Sequence, residues 1–289
     1  MTFAMTYSTL LRREWLQHRT GWLVLAFGPM VLMVCGWLFG QVQVDGTESA
    51  ASFFAISAGA YVLAVTGLAW LTVGFQVAGL ARRDVQDRSI EFWRSLPVSD
   101  SAAVSATLVA HLVLMPLAVM LVSLAFSVVV AALLVSKGFG MAALGAVPMG
   151  EVGSALLAAL LRMAVGLPLA SFWAAALLMP IMAASAWLKR WGAPVVLGVV
   201  GAGGALLKNA YDMPFVLDTV HGLFLQFSVA LVPLSAMVQP DPTLTRLPAL
   251  LLQDLQARLA DLAHPLSLVA VVLIAGSFAL LVLRRQRAG

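Results

Sequence analysis

The chain has 289 residues, of which 62% are apolar and only 10% charged, whereas a soluble domain carries roughly a quarter charged residues. A core of this size cannot hide that excess, so the composition excludes an ordinary soluble domain and makes a lipid bilayer the solvent. The net charge of +4 comes from short basic clusters at the ends of apolar runs, which read as topology signals and not as a nucleic-acid surface.

The chain opens with Tyr7, Leu10, Leu11, Trp15 and Trp22 at spacings of three, four and seven, opposite Arg12, Arg13, Gln17 and Arg19. This pattern predicts an amphipathic helix over 1–19 at the membrane interface, with Leu11, Arg12, Arg13, Glu14 and Trp15 at its centre. The first apolar run, Thr20 to Gly40, is too long for a signal-peptide core and more apolar segments follow, so it is expected to remain uncleaved. It holds the single cysteine, Cys35, which has no partner thiol. Gly36 and Gly40 form a Gly-x-x-x-Gly face for close packing, read chiefly as packing within the subunit.

Further spans are predicted at Ser52 to Leu80, Ala102 to Val135, Ser154 to Leu188, a glycine-rich Gly192 to Leu207, and Pro265 to Leu283, with Pro29, Pro116, Pro168 and Pro180 as kink points. Twelve of the 17 basic residues fall on one side of this layout, which places both termini in the cytoplasm. Residues 208–264 then form an outer region between spans five and six. Within it Phe215 to Val238 is read as re-entrant or surface-lying, because a seventh crossing would bury Asp218 and put Arg284, Arg285 and Arg287 outside. Leu251, Leu255, Leu259 and Leu262 predict an amphipathic helix in Gln239 to His264. The fold class is therefore all-α: one polytopic domain over 1–289 with about six transmembrane helices.

Absent motifs limit the chemistry. Lys137, Lys189 and Lys208 are followed by Gly138, Arg190 and Asn209, so there is no Walker-type phosphate loop. His18, His111, His221 and His264 form no His-Glu-x-x-His pattern, and no nucleophile elbow is present. The spans hold almost no acid for an aspartyl pair or an ion relay. Catalysis and a metal site on this chain are not expected. Arg162 reads as a cation snorkelling to the outer interface near Glu151, and His111 as a hydrogen-bonded packing histidine.

One cytoplasmic segment, 81–101, is built for contact. Asp87, Arg88, Glu91 and Arg94 place opposite charges within helical reach, while Ile90, Phe92, Trp93 and Leu96 supply apolar surface. Pro97 stops the helix, and Ser99 or Asp100 can cap the next one. The run from Asp87 to Ser99, ending Ser-Leu-Pro-Val-Ser, resembles the segment after span two of ABC-2-type transporter permeases. Leu11 to Arg19 is similar to the N-terminal interfacial helix of the same family.

That resemblance implies a dimer of six-helix permeases in a bacterial inner membrane, bound to separate ATPase subunits that carry ATP and magnesium. The segment Asp87 to Pro97 would serve as the coupling helix. The expected function is the permease subunit of an ATP-driven exporter, with no cofactor on this chain and the ATPase, a second permease copy and lipid as partners. The alternatives are an assembly or anchoring subunit without transport, or a secondary transporter, which would need ionisable groups in its spans.

Overall fold

The computed structural model describes residues 3–44, 49–86, 98–232 and 245–287, with side chains from residue 5 onward and without those of 84–86. The described residues are overwhelmingly helical. Helix α1 spans Phe3–Phe39, α2 Ala50–Gln86, α3 Asp100–Phe139 and α4 Met149–Leu188. At ~1.5 Å per residue each is about 55–60 Å long, against ~30 Å of hydrocarbon, so all four project well beyond a bilayer.

Alpha-helix α4 ends in a tight reversal. Lys189 has a positive φ of 55° at the head of a 3-10 turn, Lys189–Trp191. Gly192 then sits so close to the α4 backbone that an added Cβ would lie 2.3 Å from Ser185 Cα, an approach only glycine permits. From there α5 runs back as Gly192–Gly198, a π turn Val199–Gly203, and Gly204–Tyr211. Residues 192–211 cover about 30 Å, the length of one crossing. Helix α6 follows at Phe215–Leu231, α7 at Leu247–Ala260 and α8 at Leu266–Arg287. Among the described residues five helical stretches are long and apolar enough to span: α1, α2, α3, the α4–α5 run, and α8.

The core lies between α2, α3 and α4, where Val65, Val73, Val119, Val130, Leu167 and Trp173 are sealed from the surroundings. Helices α1 and α8 are peripheral and keep large apolar side chains outward, from Val24 to Phe39 (87% exposed) and at Leu268 and Val272. Such faces are stable only against lipid or another apolar protein. Cys35 is on the exposed side.

Contacts at the two ends fix the alternation of the helices. At one end Trp37 Nε1 of α1 donates to Ser136 Oγ of α3 at 3.3 Å, and Phe53 of α2 meets Phe139 of α3 with ring centroids 5.6 Å apart. At the other, Arg285 Nε of α8 donates to Asp100 Oδ1 of α3 at 3.0 Å, and Arg284 Nε to the carbonyl of Ala186 in α4 at 3.1 Å. Arg284 and Arg287 also stack over the Trp187 ring at 5.8 and 5.4 Å. Among the described residues, Arg13, Arg83, Arg284 and Arg285, from clusters that the charge rule groups together, therefore do gather at one end of the bundle.

Three expectations need correction. Residues 3–39 form a single unbroken helix, so the first 19 residues are not a separate helix lying across an interface. The reason is that this stretch is held against α2 and α3 by a buried polar face. The glycines at 36 and 40 are exposed, and an added Cβ at Gly36 would meet nothing within 4 Å, so among the described residues that face packs on no other helix. In α7 the inward face carries Leu251 and Asp254, while Leu259, and Leu262 in the 3-10 turn that follows, are exposed. Pairing of Asp254 with a buried arginine, and not the leucine series, sets that helix's rotation.

Candidate functional site

At the charged end of the bundle a polar cluster is buried between α1, α2 and α3. Its centre is Glu14, which is 0% exposed. Leu10, Glu14, His18 and Trp22 recur every four residues and so share one face of α1, the face that packs inward. Arg83, near the end of α2, reaches across and donates from Nη2 to both carboxylate oxygens, at 2.8 and 3.0 Å. Arg13 Nη2 also donates to Glu14 Oε1. From α3 the Thr107 hydroxyl donates to the same oxygen at 2.9 Å. One carboxylate thus ties three helices together.

Two imidazoles complete the cluster. Arg83 Nη1 lies 2.6 Å from His18 Nε2; a guanidinium has only donors, so Nε2 accepts and the ring proton of His18 resides on Nδ1. His111 Nδ1 lies 3.2 Å from the Thr107 carbonyl, which can only accept, so this nitrogen carries the proton. The two rings meet edge to face with centroids 4.7 Å apart.

The backbone around His111 departs from a regular α-helix. Pro116 has no N–H and cannot bond the carbonyl of Leu112. The helix answers with a π turn over Ala110–Leu114, in which Met115 N donates to the Ala110 carbonyl. The orphaned Leu112 carbonyl accepts the Ser171 hydroxyl of α4 at 2.6 Å. A π turn of this kind shifts the side-chain register of a helix, commonly at functional positions.

Glu14, His18 and His111 place one ligand atom each within 4.8 Å of one another, a donor set that suits a transition metal. Here, however, Arg83 already occupies the His18 lone pair and both carboxylate oxygens, and Arg13 adds a second positive charge. A divalent cation would have to displace guanidinium and sit against like charge. The cluster acts as an ion-paired latch between helices.

A second buried ion pair lies toward the opposite end. Arg162 of α4 is 4% exposed and donates from Nε to Asp254 Oδ2 of α7 at 2.7 Å. Its Nη1 and Nη2 reach the carbonyls of Ala230 and Val229, in the last turn of α6, at 2.8 and 2.9 Å. Gly166 makes room for it, since a Cβ there would fall 1.8 Å from Arg162 Nη1. Arg162 therefore does not snorkel toward Glu151; its guanidinium is held by α6 and α7. Helix α6 packs among the spans, with Phe227 meeting Trp70 of α2 at 5.1 Å and Asp218 exposed in its first turn.

No family model, curated protein or solved structure matches this chain.

Of the residues singled out in the sequence, Asp87, Arg88, Ile90, Glu91, Phe92, Trp93, Arg94, Leu96 and Pro97 lie outside the described residues. Both flanks of that segment are described. On one side stands Arg83, held by Glu14. On the other, the Ser99 hydroxyl accepts from Ala102 N at 3.2 Å and caps α3, and Asp100 is paired with Arg285. Within α1, Arg13 and Glu14 are buried and Leu11 is half-buried, while Arg12 and Trp15 face outward. The face counted as polar is thus partly inward. The signal that finds it is Glu14 itself, the only acid in the first 44 residues.

Proposed function

We propose that this chain is the membrane-spanning permease subunit of an ATP-driven exporter of the ABC-2 type, taking its energy from a separate ATPase subunit through the segment 81–101. The supporting observation is that both flanks of the segment are anchored in other helices, Arg83 in α1 through Glu14 at 2.8 Å and Asp100 in α8 through Arg285 at 3.0 Å. A push delivered to the segment would reach α1, α2, α3 and α8 together, through ion pairs stiffer than an ordinary loop.

On this reading the aromatic pair Phe92 and Trp93 fills a pocket on the ATPase, and Glu91 and Arg94 orient it at the rim. Truncation of Phe92 and Trp93 to Ala weakens ATPase association at least tenfold while protein level and helicity stay normal. If the double variant binds the ATPase as tightly as the native chain, the coupling assignment falls, and an anchoring subunit without transport becomes the better account.

A further inference from the structure

Between α2, α3, α4 and the ends of α6 and α7 there is a cavity of about 350 Å³, within the ~300–1,000 Å³ typical of small-molecule sites. Small residues open it, among them Gly59 and Ala155, and its walls are otherwise aliphatic or aromatic, such as Phe54, Leu124 and Leu156. Two polar groups interrupt those walls with capacity to donate. Thr66 is buried, lines the cavity, and its hydroxyl has no hydrogen-bond partner. Arg162 also lines the cavity, and three of its five N–H donors go to Asp254, Ala230 and Val229, leaving two.

An unbonded hydroxyl in an apolar interior is costly, and spare guanidinium donors on the wall of the same cavity ask for an acceptor-rich group. We propose that this cavity binds an anionic single-chain amphiphile, its hydrocarbon chain along the apolar walls and its carboxylate or phosphate oxygens at Arg162 and Thr66. A volume of this size suits one hydrocarbon chain. The site is distinct from the Glu14 cluster and does not rest on the exporter reading.

The test uses the full chain in detergent with a photoactivatable, alkyne-tagged long-chain fatty acid, the crosslinks being mapped by mass spectrometry. Crosslinks concentrate on cavity residues of α2 and α4, a matched long-chain alcohol labels at least tenfold less, and Ala155→Phe, which fills the space, removes the labelling. Thr66→Val, which keeps the shape, lowers it several-fold and guards against misfolding of the larger variant. Competition with a free fatty acid and with a single-chain phosphate lipid separates the two sources: the one that displaces the probe at lower concentration is the preferred headgroup. Labelling spread over the outward faces of α1 and α8, equal labelling by the alcohol, or full labelling in folded Ala155→Phe would overturn the proposal.

Discussion

The buried charges carry the clearest residue-scale consequences. Removing one partner of a buried ion pair leaves the other charge uncompensated, at about 3–5 kcal/mol, whereas a partly exposed pair contributes about 0–1 kcal/mol. Glu14→Gln removes the buried carboxylate on which Arg83, Arg13 and Thr107 converge at the junction of three helices, and lowers the thermal unfolding midpoint in detergent strongly. Asp100→Asn, whose pair with Arg285 is partly exposed, changes it little. Equal midpoints for the two variants would refute the latch. Gly166→Ala is a harsher case than its size suggests, because the added methyl would occupy the path of the Arg162 guanidinium. It is expected to release Asp254 and loosen α7, measured as faster proteolysis within 245–264; protection equal to the native chain would contradict this. These residues were the least legible in the sequence. The partners of Glu14 on other helices lie 69 and 93 positions away and the acid paired with Arg162 lies 92 away, and no local pattern connects them. A lone acid or base in an apolar run marks the place without naming its partner.

At the scale of elements, the sequence was most informative where apolar length decides the outcome. The long apolar stretches do form long helices, and Ser99 does cap α3. Rotation about the helix axis was harder to read, because a count of apolar residues assumes that charge faces out. In α1 and α7 the opposite holds: Glu14 and Asp254 turn inward to meet arginines, and Trp15 and Leu259 turn outward, which an apolar surrounding tolerates. Proline was half legible. Pro29, Pro168 and Pro180 lie inside unbroken helices, while Pro116 follows a π turn whose freed carbonyl is satisfied by Ser171. Ser171→Ala leaves the Leu112 carbonyl unsatisfied and should destabilise the fold by about 1–3 kcal/mol. Pro116→Ala restores the missing donor, and should remove the dependence on Ser171. A double-variant cycle in thermal stability tests this coupling; strict additivity of the two substitutions would show that they act separately.

At the scale of the whole molecule, the charge rule and the contact pattern agree on which helix ends belong together, and the resulting polarity is testable in cells. With Cys35 replaced by Ser, a cysteine at Ser89 or Ala288 should react with an impermeant thiol reagent only after permeabilisation, and one at the exposed Met141 should react from outside intact cells. Labelling of Ser89→Cys from outside would reverse the topology. The exporter reading stands on the resemblance of one segment and on the anchoring of its two flanks. Its most direct test is to purify the native chain from its own membranes in mild detergent and measure what accompanies it. The account predicts a nucleotide-binding ATPase subunit in equimolar amount, with magnesium-dependent ATP hydrolysis in the purified complex. A chain that purifies intact and well folded without any such subunit and without hydrolysis would contradict it.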